Sequence, residues 1–222
     1  MEPVLTQSSE ENDQYRFTIK GLNVSLANAL RRTILSDIKT TVIVTENNKD
    51  NQCNVLINTS RLHNEILKHR LSCIPIHEKD TNVLPGNYVL EIDVKNDTDH
   101  VMFVTTEHFK IKNKTNDKYV TENELRRIFP ANPMTNYFID FARLRPKIGD
   151  AIPGEHLKLV ADFSVGSAKD NSMYNIVSKC SYGNTPDAVK ISEFWEQHEA
   201  KLRSVASNTT DDIEFEKKNF YL

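Results

Sequence analysis

Apolar residues recur along this chain with two different periods, and the switches between them outline the expected elements. Tyr15–Ile19 alternates apolar with polar and reads as a strand with one face on a core. Gly21 and Asn23 mark a turn. From Ser25 the spacing changes: Ala27, Leu30, Ile34 and Ile38 fall three or four residues apart, with Leu26 and Leu35 alongside. That is an amphipathic helix, with Asn23 or Ser25 as its N-cap. Thr41–Glu46 reads as a strand, 47–52 as a turn, and Cys53–Ile57 as the returning arm of a hairpin. A second helix is expected to open at Thr59 or Ser60 and to carry Leu62, Ile66, Leu67 and Leu71. It should stop near Ile74, because Pro75 disfavours helical geometry in the residue before it.

Beyond residue 80 the period is mostly that of strands: Tyr88–Val94, Val101–Thr106, Phe109–Lys112, Tyr137–Leu144 and Leu157–Val165. The last is expected to place Leu157, Leu159, Ala161, Phe163 and Val165 on one face. Thr121–Phe129 reads as a short helix, its Thr121 and Glu124 spaced as a capping box. A further helix is expected over Ser192–Val205, with Phe194, His198, Leu202 and Val205 on one stripe, and Asp211–Leu222 as extended. Met1–Gln14, polar and acidic, reads as a solvated tail. The predicted class is α+β.

Charge narrows the function. The formal net charge is -3, with 28 Lys and Arg against 31 Asp and Glu. A surface that grips a duplex by itself carries a basic excess, so any role near nucleic acid is expected to run through partner proteins. The lysine-rich stretch Lys110–Lys118 is expected to be a solvated hairpin tip. Three widely spaced cysteines, Cys53, Cys73 and Cys180, make no disulfide framework and suit a reducing, intracellular compartment. No run approaches the roughly 18 apolar residues of a membrane helix, so no membrane partner is expected.

Histidine and cysteine come closest at His63, His69, Cys73 and His77, and His69 and Cys73 are four apart, on one helical face. Zinc accepts such donors, and a metal-dependent enzyme using His63, His69 and Cys73 is the rival reading. Pro75 separates His77 from that helix, however, and no ligand pair sits on a tight turn. Surface histidines with a buried cysteine are the simpler expectation. No nucleotide-binding glycine loop, nucleophile elbow or HExxH run appears, so no catalytic residue is nominated.

Two segments depart from generic amphipathic helices. In Asn23–Asp37 (NVSLANALRRTILSD) small residues precede the doublet Arg31-Arg32. Adjacent helical positions point about 100° apart, so one arginine must border the apolar face and can offer its planar fork to a partner. This run closely resembles the first helix of the alpha-like subunits of cellular RNA polymerases (bacterial alpha, its archaeal counterpart and the third-largest subunit of eukaryotic RNA polymerase II). Asn64–Ile76 (NEILKHRLSCIPI) resembles the archaeal and eukaryotic members' helix and its His-Arg-Leu run. Val165–Tyr182 is similar to a stretch in which a Gly–Lys loop precedes an aromatic residue and a short strand.

The resemblance implies an alpha-like dimerisation domain, an antiparallel sheet with packed helices, interrupted by a β-rich insert. Its first part would be 1–43, the insert 44–180, and the second part 181–222. It also implies a non-catalytic assembly subunit of DNA-directed RNA polymerase. Leu26, Ala27, Leu30 and Ile34 would form the seam with a smaller alpha-like subunit. Asn28, Arg31, Arg32, His69 and Arg70 would dock the second-largest subunit. Small assembly subunits would complete the contacts, and DNA would be met only through the complex. A subunit shared by RNA polymerases I and III is the alternative within the family. The four-cysteine loop of many relatives is missing, so no metal and no cofactor is expected. The family's closing strands and long helix would start where this chain stops, at Phe220-Tyr221-Leu222; they are expected from another polypeptide, or the chain is a truncated or split gene product. These departures, with the Asn- and Lys-rich composition, point to a large DNA virus; the expected location is the nucleus, or the cytoplasm or virion for a viral protein.

Overall fold

The computed structural model describes residues 2–45, 50–149 and 151–204. By compactness the chain divides into two units, one drawn from 1–27 and 181–222, the other from Asn28–Cys180. That division follows packing and does not speak to where a dimerisation domain and an insert meet. The mixture of antiparallel sheets with a few helices is the α+β class expected.

The first unit begins with a hairpin. Strands β1 (Val4–Glu11) and β2 (Gln14–Lys20) pair antiparallel, from Val4 opposite Lys20 to Glu11 opposite Gln14. The expected solvated tail is therefore a strand. Its ladder is made by backbone groups, which need no apolar face, and apart from Val4 and Leu5 that segment offers no alternation to detect. The two-residue loop has Asn12 at φ 51° and Asp13 at φ 60°, the left-handed geometry that matches the twist of paired strands and that Asn and Asp tolerate. Gln7, at φ 53°, is the extra residue of a bulge between Thr6 and Ser8.

Helix α1 (Val24–Ser36) starts in this unit. Of the two expected caps it uses Asn23, whose side-chain oxygen accepts the Leu26 N–H at 2.8 Å. The late helix of the unit, described over Ala188–Ser204, begins four residues earlier than Ser192, where Asp187 accepts the Lys190 N–H. Its inward stripe differs from the expected one. Trp195 is 3% exposed while Phe194 is 59% exposed, so the face is turned by one residue towards Ile191, Trp195 and His198. Val205 and Asp211–Leu222 lie outside the described residues.

In the second unit, β3 (Lys39–Val42) and β4 (Cys53–Asn58) do not form the expected hairpin. They pair antiparallel with β10 (Ser164–Ser167) and β9 (His156–Asp162) respectively. β3 and β4 thus both run beside 156–167, and the expected single strand Leu157–Val165 changes sheet after Asp162. Leu157, Leu159, Ala161 and Phe163 are buried as expected, but Val165, past the change, is exposed. Alternation reported the inward face and could not report the break. Residues 47–49 of the expected turn at 47–52 lie outside the described residues.

The main sheet has the order β4-β9-β5-β7, with β5 (Tyr88–Lys95) paired to β9 on one side and β7 (Lys110–Asn113) on the other. Leu90, Ile92 and Val94 face the core while Glu91, Asp93 and Lys95 face out. On the outer face the Asp93 carboxylate takes His156 Nε2 and Lys158 Nζ, each at 2.7 Å, and both hold its pKa below the usual carboxylate value. Beyond β7 the chain turns back so that Tyr119 bridges Lys112, and Lys112 pairs with Asp117 at 2.8 Å. The lysine-rich stretch is a hairpin tip.

Helix α2 is shorter than expected, Asn64–Ser72 with His63 at its N-cap position. Neither Thr59 nor Ser60 opens it, because both hydroxyls are used elsewhere. Ser60 gives its hydroxyl to Asn58 Oδ1 at 2.7 Å, and Thr59 accepts the His156 N–H at 2.7 Å. The helix buries Leu67 and Leu71 on the core. A short two-stranded sheet of β6 (Met102–Thr105) and β8 (Asp140–Leu144) completes the unit with α3 (Glu122–Ile128), which carries the expected Thr121–Glu124 capping box. Strand β8 starts three residues later than the expected Tyr137. Phe109 meets Phe129 and Phe141 edge to face, with centroids 5.4 and 5.6 Å apart, at the middle of this core.

Candidate partner-binding surface

Helix α1 carries most of the expected interface residues and buries none of its side chains. Its sequence repeats apolar residues at the spacing of a buried face, yet Leu26 is 55% and Leu30 39% exposed. Ala27 and Ile34 are half-buried, so all four seam residues keep surface to offer. An amphipathic helix in this state is an incomplete packing element, one whose apolar stripe has been prepared and not covered.

The arginine doublet resolves as the helix geometry requires. Arg31 is half-buried and fixed, with Nε and Nη2 donating to Asn28 Oδ1 at 3.0 and 2.9 Å. Arg32 is exposed and its side chain makes no hydrogen bond or ion pair among the described residues, although its carbonyl accepts the Ser36 hydroxyl at 2.8 Å. One arginine is therefore oriented by its own helix and the other is free to engage a second chain. Asn28 is used intramolecularly, as the residue that aims Arg31.

On α2, His69 and Arg70 lie on the side away from Leu67 and Leu71 and are exposed. Arg70 reaches across to donate to the Asp140 carbonyl at 2.8 Å, tying the helix to β8. No described hydrogen bond joins this pair to Arg31 or Arg32. His63, His69 and Cys73 are all exposed, which corrects the expectation of a buried cysteine here: Cys73 is the C-cap of α2 and points off the core. The buried thiol is Cys53, whose pKa burial raises to about 11, so it is protonated and inert at neutral pH. Among the described residues no three His, Cys, Asp or Glu side chains converge to hold a metal.

A polar clasp that the sequence did not disclose fixes the far end of β8. Asn96, fully buried, donates from Nδ2 to the His100 and Leu144 carbonyls at 2.8 and 3.0 Å and accepts from Thr98. Its N–H donates to the Glu155 carbonyl, and the buried Glu155 carboxylate accepts the Arg145 N–H at 2.7 Å and the Arg145 guanidinium. The links from Asn96 to Leu144 and Glu155 join residues distant in sequence, so local pattern does not reveal the clasp as a whole.

Helix α1 therefore presents an exposed apolar surface with Arg32 beside it. A model of the RNA polymerase Rpb3/Rpb11 dimerisation domain matches residues 16–129, just over half of the chain, and the chain belongs to that family. It thus carries the alpha-like dimerisation domain found in subunits of DNA-directed RNA polymerase. It is similar to DNA-directed RNA polymerase subunit Rpo3 of Methanosphaera stadtmanae, 25% identical over 92% of this chain and 71% of that protein. It is likewise similar to human DNA-directed RNA polymerases I and III subunit RPAC1, 27% identical over 80% of this chain and 53% of the human one. A shorter stretch, 30% of the chain, is 39% identical to 23% of Rpo3 from Pyrococcus furiosus. The chain therefore spans about half the length of the human relative.

Proposed function

We propose that this chain is an assembly scaffold of an RNA polymerase, pairing with a smaller alpha-like subunit and docking the second-largest subunit. The observation that carries this reading is α1, an amphipathic helix with no buried side chain. Leu26, Ala27, Leu30 and Ile34 form the seam with the smaller subunit. Arg32, with Arg31 aimed by Asn28, engages the second-largest subunit, and His69 and Arg70 add a second contact from α2. Small assembly subunits complete the complex, and DNA is met only through it. Among the described residues no helix is long and apolar enough to cross a membrane. Three free thiols suit a reducing setting, in a nucleus or in the cytoplasm or virion of a viral system.

Arg32→Ala tests the docking role. Because the side chain makes no described bond, the variant should melt as the parent does and still bind the smaller subunit. Its recovery of the second-largest subunit from co-expressed complex should fall roughly tenfold, as for loss of one charged interfacial contact. Unchanged recovery would remove Arg32 from the interface.

A further inference from the structure

In the second unit a groove of about 540 Å³ runs beside β8, and four arginines line it: Arg61, Arg70, Arg143 and Arg145. Two carboxylates, Asp140 and Glu155, stand among them. Glu155 is already committed, with both its oxygens taken by Arg145. The groove therefore holds a local surplus of positive charge on a chain whose net charge is -3.

Three of these guanidinium groups are held in place. Arg145 is anchored by Glu155, Arg70 by the Asp140 carbonyl at 2.8 Å, and Arg143 lies over the Phe103 ring at 4.8 Å. Arg61 pairs with no carboxylate among the described residues. The surface between them is partly apolar, supplied by the half-buried Leu62 and the exposed Val101. Fixed arginine forks recognise carboxylates in a bidentate manner, and prior fixing lowers the entropy lost on binding.

We propose that this groove docks an extended acidic segment of a partner polypeptide. The segment's carboxylates are taken by Arg61, Arg70 and Arg143, and one apolar side chain rests on Leu62 and Val101. A nucleic-acid strand fits less well, since it requires basic surface to continue along its phosphates and stacking rings between them, on a protein that is acidic overall. The groove shares Arg70 with the docking role above. It is tested without any polymerase subunit, so either reading can fail while the other stands.

The experiment titrates the full chain into a fluorescently labelled peptide of glutamates around a central leucine, with an oligothymidylate of similar length in parallel. The peptide should bind saturably at low salt and weaken as salt rises, and its lysine-for-glutamate counterpart should not bind. The double variant Arg61→Glu with Arg143→Glu, checked by its melting curve, should lose roughly tenfold or more in affinity. If that variant melts early, Arg61→Gln with Arg143→Gln replaces it, and the same direction of loss is expected. Absence of peptide binding, equal binding to a well-folded variant, or binding of the oligothymidylate in preference to the peptide would overturn the proposal.

Discussion

Gly154→Ala is expected to destabilise the chain by about 3 kcal/mol, a fall of roughly 6–12 °C in melting temperature for a domain of this size. A Cβ at this position would overlap the Asn96 carbonyl oxygen and stand 3.2 Å from the Lys147 backbone nitrogen. Both obstacles are backbone, so no side chain can swing aside. The strand-end clasp would have to open instead. The Asn96 N–H would part from the Glu155 carbonyl, and the buried Glu155 carboxylate would be displaced from the Arg145 backbone N–H and from the guanidinium that balances its charge. Gly149 provides the contrast. It has φ 57° but nothing within 4 Å of a built Cβ, so alanine there meets only backbone strain of about 1 kcal/mol. Thermal melting of the two variants separates the cases: a Gly154→Ala protein that melts with the Gly149→Ala protein would show that the clasp does not hold β8.

Leu30→Asp should act in the opposite manner, sparing the fold and breaking the pairing. Leu30 is 39% exposed on a helix with no buried residue, so the isolated chain should lose less than about 1 kcal/mol. At the centre of the proposed seam the same change would bury a carboxylate against apolar groups. Central interface residues commonly cost about 2 kcal/mol or more when truncated, and a buried unpaired charge adds to that. Affinity for the smaller alpha-like subunit is therefore expected to drop at least about a hundredfold by calorimetry. An unchanged affinity would move the seam off this face of α1.

The two scales of structure differ in what the sequence discloses. Short elements with strong local signals were legible: Thr121 and Glu124 cap α3, Asn23 caps α1, and the alternation in Tyr88–Val94 and Leu157–Ala161 reports their buried faces. Pairing was not legible. β3 and β4 look like neighbours in a hairpin, but their partners β10 and β9 lie about a hundred residues or more away. The strand β1 has too few apolar residues to announce itself and is specified by its turn at Asn12-Asp13 and by β2. For the candidate surface, the apolar spacing in Ser25–Asp37 is visible in the sequence, and the structure adds that Leu26 and Leu30 are exposed while Ala27 and Ile34 are half-buried. That Asn28 orients Arg31, while Arg32 stays free, depends on rotamers that spacing alone does not fix. The arginine groove was missed because Arg61 lies far in sequence from Arg143 and Arg145, and only the fold brings them to one place.

Assembly of a polymerase through α1 is open to a single experiment, affinity purification of the tagged chain from the cells or virus-infected cells that express it. A smaller alpha-like subunit should be recovered together with the two largest polymerase subunits, and all three should be lost with Leu30→Asp. Recovery of the intact chain with neither the smaller subunit nor the large ones would contradict it.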